Sequence, residues 1–122
     1  MTNPMETKMS ESVESLMSIM KNDYLEWAKR GESSYRHDMY EEFCESLDYS
    51  IGKKYIKIFR HEGDYHSSTV CFVVNTTNDK KFAFGDVLKA AGWAGPARNF
   101  ARCNVFDTIS MERNIRWTGP SY

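Results

Sequence analysis

The fold turns on residues 53–75, "KKYIKIFR" (53–60), "HEGDYHS" (61–67) and "STVCFVVN" (68–75, overlapping the previous stretch by none). The first and last of these alternate or run apolar and are rich in β-branched and aromatic residues. That pattern predicts two strands, and the polar, glycine-containing stretch between them predicts a hairpin. Downstream, "TTNDK" (76–80) reads as a turn and "KFAF" (81–84) as a short third strand. Gly85-Asp86 closes that strand, with Asp86 suited to cap a short helix over Val87–Ala91. Gly95-Pro96 breaks the chain, Ala97–Cys103 predicts one or two further helical turns, and "NIRWTG" (114–119) a last strand.

Upstream the period is helical. From Ser10 to Arg30 the apolar residues Val13, Leu16, Met17, Met20, Tyr24, Trp27 and Ala28 fall on one helix face. Ser10 is placed to cap this helix, and Lys29, Arg30 and Gly31 to end it. A second helix is expected from Ser34 to Leu47, with Tyr35, Met39, Phe43 and Leu47 each four residues apart. Residues 1–9 read as disordered. The expectation is one α+β domain over 10–122: two N-terminal helices packed on a small antiparallel sheet, with short helices between the last strands.

A chain of 122 residues is long enough for one modest core. Neither a membrane span nor a signal peptide is legible in it. Cys44, Cys71 and Cys103 are an odd number without a CxxC spacing, which argues for reduced thiols in a cytosol. The net charge of −1 conceals a division. Residues 1–50 carry 5 Lys/Arg against 11 Asp/Glu, whereas residues 51–122 carry 11 against 6. The basic part suits an anionic ligand, although acidic helices and basic strands pairing with each other explain the division equally well.

The stretch "GDVLKAAGWAGPARNFARCN" (85–104) mixes glycines and alanines with Trp93, Phe100, Arg98 and Arg102. On a helix Arg98 and Arg102 share a face, and paired guanidiniums suit bidentate contacts to phosphate. Pro96 would open a helix N-terminus that also attracts anions. Trp93 and Phe100 offer flat faces to a base. In the competing reading both arginines pair with Asp86, Asp107 or the acidic first helix, and both aromatics are core. No Walker loop, GxGxxG or nucleophile motif occurs, and no convincing acid–base pair. His61 and His66 flank the hairpin turn with Glu62 and Asp64 between them, which is more simply a solvated turn than a metal site. The chemistry expected is therefore binding rather than catalysis, with no cofactor and no metal.

"FAFGDVLKAAGWAGPARNFARCNVFD" (82–107) followed by "IRWTGPSY" (115–122) resembles a pattern of small phage and prophage proteins: GD-[VI]-LKAA-x-W-x-x-PA-[RK]-N-x-AR-x-N, ending in [WY]-x-GP. The resemblance is to the phage Thoeris anti-defence type, and it covers roughly Lys54 to Tyr122. It implies a protein that binds a cyclic ADP-ribose-type signal from a bacterial TIR-domain enzyme and sequesters it uncleaved. It also implies a homodimer or ring of dimers in the cytoplasm of the infected host, and leaves open a second site for cyclic oligonucleotides. Cys103 departs from the pattern, where glycine is expected. The candidate ligand-binding residues are Arg98, Arg102, Asn99, Asn104, Trp93, Phe82, Lys57, Arg60 and Arg116. The alternatives are a small phage nucleic-acid-binding protein, which would use the same residues in an open groove, and a protein–protein inhibitor acting through the amphipathic helices.

Overall fold

The computed structural model describes residues 4–31, 37–61, 67–92, 95–116 and 119–120. Helix α1 (Pro4–Gly31) and helix α2 (His37–Ser46) precede strands β1 (Leu47–Ile51), β2 (Tyr55–His61), β3 (Ser67–Val74), β4 (Asp86–Lys89) and β5 (Cys103–Asn104). Helix α3 (Thr108–Asn114) and strands β6 (Ile115–Arg116) and β7 (Gly119–Pro120) complete the chain. Strands β1 to β5 form one antiparallel sheet in sequence order, while β6 and β7 pair with each other. The chain is α+β with an antiparallel sheet, as its periodicities imply. The helices and the shorter strands depart from the sequence reading.

The main core lies between the helices and one sheet face. Met9, Val13, Leu16, Met17, Met20 and Tyr24 of α1 are buried with Phe43 of α2, Ile56 and Ile58 of β2, Cys71 and Val73 of β3, and Val87 of β4. Met111 of α3 and Ile115 of β6 join the same cluster. Alternation sends Ile56 and Ile58 inward and leaves Tyr55, Lys57 and Phe59 on the other face. On that second face Val74, Phe82 and Leu88 form a smaller cluster, with Tyr55 and Ala101 against it. Between Ile58 and Phe59 the register of β3 slips, leaving Val70 as the extra residue of a bulge.

Several expectations are corrected. The stretch 1–9 is helical from Pro4, a residue suited to a first helical turn. Met9 extends the apolar stripe by one turn into the core, so Ser10 lies inside the helix and does not cap it. The second helix ends at Ser46, because Leu47 opens β1. Leu47 and Tyr49 turn to the core while Asp48 and Ser50 turn away, a strand alternation that the four-residue spacing of Phe43 and Leu47 disguises.

"KFAF" is not a strand. The Asp79 carboxylate accepts the backbone N–H groups of Lys81 (2.8 Å) and Phe82 (2.9 Å), which holds that segment in a turn. The strand comes next, where a helix over Val87–Ala91 was expected. Leu, Lys and Ala favour a helix locally, but Val87 and Leu88 are both fully buried on opposite faces of the sheet. Asp86 caps no helix; its carboxylate accepts Ala83 N–H and Asn104 Nδ2.

The expected helix over Ala97–Cys103 is absent as well. Ala97 N–H donates to Lys89 (2.7 Å) and Arg102 N–H to Val87 (2.8 Å), so the segment spends its donors on β4. Pro96 forms a β-bridge with Ala90 rather than opening a helix. Among the last elements the short helix is α3, capped by Asp107, whose carboxylate accepts Ser110 N–H at 3.1 Å. Of the strand expected over 114–119, Asn114 ends α3, Ile115–Arg116 form β6 and pair with Gly119–Pro120, and Trp117 and Thr118 lie outside the described residues. Cys103 is buried in extended backbone, and no described non-glycine residue has positive φ, so glycine is not required there.

Candidate functional site

Antiparallel pairing brings the start of β2 and the end of β3 to the same end of the sheet. The dilysine Lys53-Lys54 before β2 therefore meets the loop 75–81 after β3. Two short networks fix this junction. Gly52 N–H donates to Tyr55 O (2.9 Å), a turn so tight that a Cβ on Gly52 would meet the same oxygen at 2.9 Å. Asn75 ties the two sides together, its N–H donating to Lys54 O (2.8 Å) and its Nδ2 to Gly52 O (2.9 Å).

The result is an open cleft of about 510 Å³ lined by Lys53, Lys54, Thr76, Asn78, Asp79, Lys80 and Arg98. Volumes of this order accommodate small ligands. Among the described lining residues four cations accompany one carboxylate, and that carboxylate is already engaged. Asp79 Oδ1 accepts from Arg98 NH2 at 3.0 Å in addition to the two backbone N–H groups. The Arg98 contact and then the two backbone donors hold its carboxyl far below the usual carboxylate range. Its side chain is 2% exposed.

Arg98 is held on three sides. NH1 donates to Tyr55 Oη at 2.5 Å, NH2 to Asp79, and the guanidinium lies over the Phe82 ring at 4.9 Å. The Asp79 carboxylate raises its pKa further. With its side chain 39% exposed, the fork keeps edges toward the cleft. Lys81 Nζ donates to Arg98 O, and Lys54 Nζ lies 5.6 Å from the Tyr55 ring. A fixed guanidinium beside flexible ammonium groups is a combination that recognises phosphate.

The other sequence candidates scatter. Phe82 is close to Arg98 but buried beneath it, so it supports the guanidinium and offers no open face. Without a helix Arg98 and Arg102 share no face: Arg102 is buried, with its guanidinium 3.9 Å over the Phe100 ring. Asn99 is exposed and accepts Phe100 N–H. Asn104 is committed to the fold, donating to Phe84 O and Asp86 and accepting Phe106 N–H. Lys57 stands on the face that carries Tyr55. Arg60 points to the opposite face and lies over the Phe43 ring at 4.9 Å. Arg116 donates to Glu112 O and Ile115 O. Trp93 lies outside the described residues, as does His66.

Sequence reasoning missed Lys53, Lys54, Asp79, Lys80 and Tyr55. The signal was present: once "KKYIKIFR" and "STVCFVVN" are read as a hairpin, the two dilysines at 53–54 and 80–81 must converge.

Among the described residues, no group of three or more His, Cys, Asp or Glu is placed to hold a metal ion. No helix among them is long and apolar enough to cross a membrane. The chain belongs to the family of unknown function DUF7717, which it matches over residues 1–122. No curated protein and no solved structure matches it.

Proposed function

We propose that the chain is a non-catalytic binding protein whose cleft holds a phosphate-bearing nucleotide. The observation that supports this is the convergence of Lys53, Lys54, Lys80 and Arg98 on one open cleft, where the one carboxylate among the described lining residues is already bound to Arg98. The Arg98 fork fixes one phosphate, the lysines neutralise charge around it, and Tyr55 lies at hand for a base.

The cyclic ADP-ribose-type signal that the sequence resemblance implies is one ligand of this class. Sequestering it uncleaved would block Thoeris defence. An open cleft leaves such a small ligand exposed to water, so tight retention asks for a second chain over it, in the homodimer or ring of dimers that the resemblance also implies. A second reading, a small nucleic-acid-binding protein, is favoured by the sheet face beside the cleft, where Tyr55, Lys57 and Phe59 stand together.

Calorimetric titration with ADP and with cyclic ADP-ribose tests the shared core of the proposal. Binding of either ligand is expected, with intact ligand recovered on denaturation. Arg98→Ala and the double variant Lys53→Ala/Lys54→Ala should each weaken it about tenfold or more. Affinities that both variants leave unmoved would remove the cleft from consideration.

A further inference from the structure

We infer that the ligand's path leaves the cleft along β2, and that the chain takes a short single-stranded oligonucleotide with one phosphate at Arg98. This rests on the reading of the cleft as a phosphate site. Strand alternation places Tyr55, Lys57, Phe59 and His61 on one face of β2, successive members about 7 Å apart. The helices bury their apolar residues against the opposite face. On this face the segments bearing Phe82 and Ala101 close over Val74 and Leu88, whereas Tyr55, Lys57 and Phe59 each keep part of their surface in solvent.

The row is aromatic, cation, aromatic, and it begins at a cationic cleft. That is the composition a single strand requires: ring faces for unpaired bases and positive charge for the backbone between them. Tyr55 is steadied by its contact with Arg98, and the Phe59 ring meets His61 edge-on at 5.1 Å. Among the described residues, Asp79 at the cleft end is held by Arg98, and Asp48, paired with Phe59 across β1 and β2, has its Oδ2 3.3 Å from His61 Nε2. A duplex hides its base faces and an acidic peptide has none, so neither uses the aromatics.

Fluorescence anisotropy with fluorescein-labelled thymidine mono-, tetra- and octanucleotides tests the inference. The tetranucleotide should bind about tenfold or more tighter than the mononucleotide. Phe59→Ala should bring that ratio close to unity, and Phe59→Trp should restore it. Arg98→Ala should weaken the mononucleotide and the tetranucleotide together. Equal affinity for all three lengths would overturn the oligonucleotide while leaving the phosphate cleft in place. Equal binding of a thymidine–adenosine duplex, or equal competition by an oligoglutamate peptide, would overturn the stacking face. No binding of any length, with ADP also unbound, would remove the cleft itself.

Discussion

Asp79 is the residue on which the cleft depends. One carboxylate oxygen gathers Arg98, Lys81 N–H and Phe82 N–H, so the fold binds its ionised form. The stability that it lends is therefore complete above the ordinary aspartate value near pH ~3.9 and is lost as pH falls below it toward the lowered folded value. Asp79→Asn should flatten the acid limb of a stability-against-pH curve, measured by denaturant melts between neutrality and strong acid. It should also loosen Arg98 and weaken phosphate binding at neutral pH. The cysteines differ in the same way. Burial, with Cys103 nearby, pushes the Cys71 thiol well above its usual range. Burial first, then Asp86 and Asp107, pushes Cys103 up to about 12. Cys44 is half-buried. Iodoacetamide at pH 8 should thus modify Cys44 alone in the native protein and all three thiols after unfolding, a difference that mass spectrometry reads directly.

At the level of elements, α1 and the β2–β3 hairpin were legible because each repeats one period over many residues. The region from Lys81 to Cys103 was not, and the reason is physical. "DVLKAA" prefers a helix locally, but a strand with both faces buried is specified by its neighbours rather than by alternation. Val87 meets the helices and Leu88 meets Phe82, and neither contact is visible along the chain. Arg98 and Arg102 would be neighbours only on a helix that does not form, so Arg98 lines the cleft while Arg102 is buried over Phe100. Gly85 illustrates how tight this region is. It adopts φ +92°, and a Cβ would lie 2.6 Å from the Phe106 ring. Gly85→Ala should cost about 1–3 kcal/mol through backbone strain alone, and more once the ring is displaced. In α1, Leu16 is fully buried, and Leu16→Ala should cost about 2–5 kcal/mol in a denaturant melt.

For the molecule as a whole, the sheet separates two tasks. The helix side holds the main core, and the opposite side carries the cationic cleft and the aromatic row. Ligand binding should accordingly respond to salt while folding does not. For an oligonucleotide neutralising about four cations, the slope of log K against log salt should approach about −3, whereas ADP should give a shallower line. Coincident slopes would argue against contacts beyond the cleft. A different consequence follows from the packing of α1 against β6. During synthesis α1 emerges from the ribosome about eighty residues or more before Met111 and Ile115, which help to bury its stripe. Until those residues are made, the part of the α1 stripe that they cover stays open, even with α2 and the sheet in place. Chaperone engagement at that stage, detectable by crosslinking chains arrested before residue 111, is the cost of joining the two distant parts of the chain in one core.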